Sequence, residues 1–246
     1  MFWLEWRCWG MNPLGYRGVN LALHGLGAIL VWQVLRQLGV PWAWLAAALF
    51  AVHPVTVASV AWIAELKNCL SLPLAAAAAL VWLRFDAGGS RVWYAAAVCT
   101  FLLALTAKTS TVVLPVLLLA FCWWRRGRIE RQDLLRTAPF FVLAVVMGLV
   151  TLLRQSSAGG VPGDSVPEGL LSRLAASGWV AWFYLSKALV PVRLAMLYPR
   201  WVVDPAVLTA WLPLAAWLII WAVIPRLDAR WSRPLTLGLG LSLIHI

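Results

Sequence analysis

Residues 92–136, VWYAAAVCTFLLALTAKTSTVVLPVLLLAFCWWRRGRIERQDLLR, predict how the rest of the chain is arranged. The stretch is a long apolar run that holds one lysine, Lys108, near its middle and ends in an arginine-rich segment. Its apolar part is roughly 33 residues long, too long for one upright helix across a hydrocarbon core ~30 Å thick, since a helix rises ~1.5 Å per residue. We therefore predict two short helices with a turn near 106–111. This hairpin would place Arg91 and the arginines at 125–136 on one side of a membrane and Lys108 on the other.

The composition predicts an all-α fold, a polytopic transmembrane helical bundle. Of the 246 residues, 63% are hydrophobic and only 12% are charged, about half the charged fraction of a soluble domain. The apolar runs are continuous rather than alternating, which argues against a transmembrane barrel. The net charge of +11 comes from arginines gathered in short loops, as expected on the cytoplasmic side of a membrane. We predict a multi-pass protein of the bacterial inner membrane with the 125–136 loop cytoplasmic, and no nucleic-acid partner.

We interpret residues 1–246 as one multi-span membrane domain that is truncated at both ends. The first span is predicted over about 18–38. Two crossings follow between 41 and 83, and their turn lies either at His53-Pro54 or at 65–68. Residues 92–108 and 109–124 form the hairpin, and 138–153 cross outward.

The segment 171–190 poses a problem of parity. The loop before it, 154–169, is rich in Gly, Pro and Ser and is predicted to be outside. The span at 206–224 ends in arginines and is also predicted to begin outside. The segment between them therefore either makes no net crossing, being interfacial or re-entrant, or it crosses and breaks the charge rule. The non-crossing interpretation is preferred.

Charged and polar residues inside the apolar runs are the candidates for chemistry. A charge near mid-membrane costs about 3 kcal/mol or more, so such residues usually pair or line a cavity. Glu65 and Lys67 either lie at the interface or carry function, and His53, before Pro54, is either a packing residue or a polar lining.

Lys108 stands beside Thr109 and other hydroxyls at an outer turn, which suits a phosphate oxygen; the alternative is a lysine that only reaches the interface. The histidines lack metal-binding spacing, so we predict no metal site.

Four stretches resemble motifs of one known family. They are NPLGYRGVNLALHGL at 12–26, AVHPVTVASVAWIAELKNCLSLP at 51–73, LALTAKTSTVVLP at 103–115 and KALVPVRLAMLYPRW at 187–201. In this order they resemble segments of the tetratricopeptide-repeat-bearing O-mannosyltransferase-like membrane proteins, of the GT-C glycosyltransferase superfamily. The resemblance covers nearly the whole chain.

The resemblance implies a membrane glycosyltransferase with a GT-C-like fold. Such an enzyme takes a sugar, here expected to be mannose, from a polyprenyl-phosphate donor and passes it to a hydroxyl of a protein or glycan acceptor on the outer face. The donor is its substrate, and no cofactor is predicted beside it. The reaction requires a carboxylate as general base and cations for the leaving phosphate. The two alternatives are a permease for lipids or solutes, and a non-catalytic membrane anchor for a repeat domain.

The resemblance also suggests site residues, although the chain departs from the family's pattern. Glu5 and Glu65 are the candidate catalytic carboxylates, the true base being expected upstream of Met1. The predicted phosphate contacts are Lys108, Lys67 and Arg193, and the predicted polar lining is His53 and Thr109. The family has a histidine at Arg17, a glutamate at Thr109 and an aspartate at Leu197.

Overall fold

A computed structural model describes residues 1–157, 169–195, 198, 203–227, 233–236 and 238–239. The chain divides into two units, residues 1–154 and 155–246, which are treated separately below. Within the described ranges the regular secondary structure is entirely helical, in agreement with the predicted all-α class.

The ten α-helices of the described residues are α1 (Phe2–Trp9), α2 (Pro13–Gln37), α3 (Ala43–Val52), α4 (Val57–Ala61), α5 (Leu66–Asp86), α6 (Arg91–Ala107), α7 (Leu114–Arg126), α8 (Arg131–Ser157), α9 (Leu170–Leu189) and α10 (Leu212–Val223). Short 3₁₀ turns lie at Pro54–Thr56, Ile63–Glu65, Thr109–Val113, Leu208–Trp211 and Ile224–Arg226.

Three helical stretches are long and apolar enough to cross a membrane. They are Pro13–Gln37, Ile63–Asp86 and Arg131–Arg154, and the bent pair Ala43–Val52 and Pro54–Ala61 makes a fourth if it counts as one span. The stretch Arg131–Arg154 has a mean hydropathy of 2.0, yet only 17% of it is buried inside the protein. An apolar surface of this length suits lipid rather than water. The helical membrane class therefore stands, and the side of the membrane stays a prediction.

The hairpin predicted over 92–124 is confirmed. Helix α6 ends at Ala107, and Lys108 takes an extended conformation with φ −156° and ψ 123°. A 3₁₀ turn follows, and Pro115 lies in the first turn of the next helix, where a missing N–H costs nothing because the first helical amides are unpaired. At the other end of the hairpin, Tyr94 Oη donates to the carbonyl of Arg136 at 2.9 Å. The arginine-rich end and the Lys108 end thus lie at opposite ends of the bundle.

The segment between α2 and α5 breaks at His53-Pro54, one of the two places that the sequence left open, and again at 62–65, just before the other, since residues 66–68 belong to α5. Helices α3 and α4 are bent by 48° at His53-Pro54, and a 3₁₀ turn at Ile63–Glu65 precedes α5. The first break follows from chemistry, since a residue before proline is pushed out of the helical conformation and His53 has φ −67° and ψ 129°. Its Nδ1 accepts a hydrogen bond from the backbone N–H of Val55 at 3.2 Å, which caps the 3₁₀ turn.

Helices α9 and α10 of the second unit run side by side in the same direction. Ser172 Oγ donates to the carbonyl of Val203 at 2.7 Å, Trp179 Nε1 to that of Ala210 at 3.2 Å and Trp182 Nε1 to that of Pro213 at 3.0 Å. Each bond joins residues 31 positions apart. A constant separation in one direction defines a parallel pair.

The chain between these helices must therefore return along α9. The ring of Tyr198 lies 4.8 Å from that of Phe183, and Val203 is back at the level of Ser172. Lys187 stabilises the tip, because its Nζ donates to the carbonyl of Val192 at 2.7 Å. If 206–224 spans the membrane as predicted, a helix parallel to it reaches the same inner side, so the parallel pair favours a crossing by α9 over the preferred non-crossing interpretation of 171–190.

The parallel pair predicts which side of the membrane each end of α9 faces. Helix α9 has 20 residues and is about 30 Å long, the thickness of the hydrocarbon core, although it is not among the described helices that are apolar enough to be candidate spans. In a variant with Cys8 and Cys99 replaced by serine, we expect Gly169→Cys to react with an impermeant maleimide from outside and Arg193→Cys only after permeabilisation. Labelling of both positions in sealed cells would contradict a crossing by α9.

Candidate functional site

Two adjoining grooves lie between α2 and the bent segment that follows α3. The first has a volume of about 330 Å³ and is lined by Arg17, Leu21, His24, Ala51, Val52, His53, Thr56, Val57, Val60 and Ala61. The second has a volume of about 500 Å³ and is lined by Phe2, Arg17, Ala61, Trp62, Ile63 and Ala64. Arg17 and Ala61 belong to both grooves, so the guanidinium-bearing side chain stands at their junction.

The start of α2 is fixed by local contacts that place Arg17. The Asn12 side chain accepts from the N–H of Leu14 at 3.0 Å and caps the helix, and Pro13 occupies its first turn. Tyr16 Oη donates to the carbonyl of Gly10 at 2.8 Å, which ties α2 to α1. This cap explains why α2 begins five residues before the predicted span.

Asn20 and His24 hold the bent segment against α2. The Asn20 Nδ2 donates to the carbonyls of Val60 at 3.4 Å and Trp62 at 3.2 Å. His24 Nε2 lies 3.0 Å from the carbonyl oxygen of Ala51, and because a carbonyl only accepts, the ring must carry its proton on Nε2. The carbonyls of Ala51 and Val60 lie at the ends of α3 and α4, where the last carbonyls lack helical partners, whereas that of Trp62 also accepts from the N–H of Glu65 at 3.0 Å. The two side chains therefore fix the wall of both grooves.

Of the predicted site residues, His53 lines the first groove. Glu65 and Lys67 instead contact each other, with Oε1 and Nζ 3.7 Å apart, and Asn68 Nδ2 also donates to Glu65. The side chain of Lys67 is 57% exposed and that of Glu65 is 20% exposed. A carboxylate engaged by its own neighbours is a poor general base. The pairing thus favours the interfacial interpretation of these two residues over the functional one.

Lys108 lies at the turn that the sequence predicted, but the threonine hydroxyls around it are already bonded. Thr109 Oγ1 lies 2.9 Å from Thr151 Oγ1 on α8. Thr111 Oγ1 donates to the carbonyl of Lys108 at 2.8 Å, and Thr106 Oγ1 to that of Leu103 at 2.8 Å. The threonines therefore stabilise the turn. A phosphate contact by Lys108 stays a prediction, which unchanged donor affinity in Lys108→Ala would rule out.

Glu5, the other candidate base, is buried although its helix is exposed. The residue is 4% exposed, whereas Trp3 and Leu4 beside it are 66% and 59% exposed. Its Oε2 has no hydrogen-bond partner among the described residues, and burial raises the pKa of this carboxyl. A raised pKa is typical of carboxyls that exchange protons, so Glu5 keeps its place as a candidate.

Arg193 lies at the tip that follows α9, in the left-handed conformation with φ 51°. Because α9 and α10 are parallel, this tip is at the same end as the end of α10 and the arginine that follows it, Arg226. Arg226 predicts that this end is cytoplasmic. A phosphate contact by Arg193 stays a prediction.

Two acidic residues of the arginine-rich end are buried. The side chains of Asp86 and Asp133 are each 3% exposed. The carboxylate of Asp86 accepts hydrogen bonds from the guanidinium groups of Arg125 and Arg126, each at 2.9 Å. Arg126 also donates to the carboxylate of Asp133. This arginine cluster joins the ends of α5, α7 and α8.

The same cluster brings together three potential metal ligands. Ligand atoms of Asp86, Cys122 and Asp133 lie within 4.8 Å of one another. Arg126, however, bonds both carboxylates and supplies the positive charge that a cation would bring. The arrangement is better explained as an ion-pair network that joins helix ends.

No family model, curated protein or solved structure matches this chain. The case for its function therefore depends on the grooves and on the sequence motifs that line them.

Proposed function

We propose that the protein is a membrane glycosyltransferase that moves a sugar, mannose in the first instance, from a polyprenyl-phosphate donor to an acceptor hydroxyl at the outer face. One observation carries the proposal. The two motif stretches at 12–26 and 51–73, which resemble the GT-C family, meet along the two grooves that share Arg17.

The position of the grooves supports a lipid-borne substrate. Asn20 bonds Trp62 close to the start of α5, whereas the arginine cluster joins the far end of α5 at Asp86. The grooves are therefore at the end of the bundle opposite the predicted cytoplasmic face. A donor whose chain lies in the outer leaflet would reach them from the side.

The proposal is tested by filling the grooves. Purified full-length protein in liposomes is given radiolabelled polyprenyl-phosphate mannose and a serine- and threonine-rich peptide, and label in the peptide is counted. We expect transfer by the wild type and its loss in Ala61→Trp, since Ala61 lines both grooves. Ala48→Trp on exposed α3 is the size-matched control and should keep activity. Absence of transfer by the wild type would sink the proposal.

A permease is the second candidate, and the bend at His53-Pro54 favours it. Broken helices near the membrane midplane are typical of transporters, and α3 and α4 are bent by 48°. The same liposomes separate the two functions. A permease would move a fluorescent polyprenyl phosphate between leaflets without peptide, whereas a transferase would label the peptide.

A further inference from the structure

Arg17 is a cation without a counter-ion among the residues that the structure describes. The residue is exposed near the start of α2. Its side chain forms no ion pair or hydrogen bond with the described residues. A guanidinium that has no partner in the protein and stands beside an apolar groove can bind an anionic lipid group. Its planar donors match the oxygens of a phosphate. The site therefore has the charge to hold a phosphate group.

The two grooves on either side of Arg17 differ in their walls. The first is bordered by Leu21, Val52 and Val57, which are 63%, 77% and 58% exposed. Exposed apolar side chains of this kind open the groove toward lipid. An isoprenoid chain, which is wholly apolar, suits such an opening.

The second groove carries aromatic rings beside its apolar wall. Phe2 and Trp62 line it and are 46% and 44% exposed. Aromatic faces are electron-rich, and sugars lay their C–H faces against such rings. This groove suits the sugar rather than the chain.

The apolar groove, the cation Arg17 and the aromatic groove follow one another in this order. A phosphodiester between a lipid and a sugar has parts that match them in the same order: an apolar chain, one negative charge and a polar ring. We propose that Arg17 holds the phosphodiester of a lipid-linked sugar, with the isoprenoid chain in the first groove and the sugar in the second. The assignment rests on the proposed function and adds the residue that binds the phosphate.

The role of Arg17 is tested by donor binding, without any transfer step. Wild-type protein and variants in nanodiscs are titrated with polyprenyl-phosphate mannose that carries a photoreactive group on its chain. We expect Arg17→Gln to weaken binding by about 10- to 100-fold, the loss of one charged hydrogen-bonded contact. Arg17→Lys should restore part of it. Arg36→Gln is the matched control, because Arg36 is exposed near the other end of α2 and stacks on Trp32.

A second variant and two further ligands test the grooves. Trp62→Ala should weaken binding of the mannosylated donor and leave polyprenyl phosphate unchanged. Phosphatidylglycerol, a phosphodiester with no isoprenoid chain or sugar, should compete poorly. Equal competition by phosphatidylglycerol would overturn the assignment in favour of a general lipid site.

The outcomes separate this assignment from the proposed function. A wild type that binds the donor as tightly as Arg17→Gln does would overturn the role of Arg17 and leave the proposed function standing. A wild type that binds no donor would overturn both. Each variant is compared with the wild type by thermal unfolding, so that a loss of fold is not mistaken for a loss of binding.

Discussion

Asp86→Ala is expected to destabilise the first unit by about 2–3 kcal/mol, because removing one partner of a buried ion pair leaves its charges uncompensated. The Asp86 side chain is 3% exposed and faces Arg125 and Arg126 at 2.9 Å and Arg136 at 4.0 Å. The three arginines are 31–33% exposed, so water offsets part of the loss and the expected cost falls at or below the lower end of the roughly 3–5 kcal/mol typical of a broken buried pair.

Glu130→Ala is the control within the same loop. Glu130 pairs with Arg128 at 2.8 Å, but their side chains are 40% and 77% exposed. An exposed pair of this kind contributes about 0–1 kcal/mol. Unfolding of both variants in mixed micelles by increasing SDS should show a large loss for Asp86→Ala and almost none for Glu130→Ala. Equal losses would show that burial of Asp86 does not set the stability of this end.

The hairpin was predictable because its length and its two ends depend on residues within the same stretch of sequence. The run at 92–124 is too long for one span, Lys108 interrupts it, and Pro115 can begin a helix but not continue one. Helix ends of this kind depend on the residues beside them, so the sequence is enough to locate them.

The arginine cluster was not predictable to the same degree. Asp86 is followed by a Gly-rich loop, and Asp133 stands in an arginine-rich loop, where acidic residues are usually solvated. Their burial arises because the ends of α5, α7 and α8 meet and bring Arg126 between the two carboxylates. Such a meeting depends on tertiary packing, which local sequence does not specify.

The candidate site was predictable from local sequence in one part and dependent on tertiary packing in another. Arg17, Asn20 and His24 are spaced i, i+3 and i+7, which places them on one face of a helix. That signal was present, but Arg17 stood out only as a departure from the family's histidine. Its position between two grooves depends on the fold of the bent segment at 51–64, which lies across that face.

The parallel pair α9 and α10 was the hardest feature to predict from sequence. Charge counting detected that 171–190 did not fit a simple alternation of spans. It did not specify the partner of α9, because the contacts are made by backbone carbonyls of Val203, Ala210 and Pro213. Carbonyls carry no residue-specific signal.

Gly178 makes the close approach of α9 and α10 possible, and this leads to the second large prediction. A Cβ at this position would lie 2.4 Å from the backbone N of Leu214 and 2.7 Å from its Cα. Backbone atoms of a packed helix do not move aside as a side chain does. Gly178→Ala is therefore expected to cost about 3 kcal/mol, at the upper end for overpacking, even though alanine is the better helix former.

Two comparisons make the prediction specific to this contact. Gly148→Ala on α8, where a Cβ would meet nothing within 4 Å, should leave the protein unchanged or slightly more stable. Leu214→Ala should fail to rescue Gly178→Ala, because the closest atoms belong to the backbone of Leu214 rather than to its side chain. The measurements are the unfolding midpoint in SDS and the fraction of monodisperse protein after heating. Rescue by Leu214→Ala would show that side-chain crowding, and not the approach of the two backbones, sets the distance between the helices.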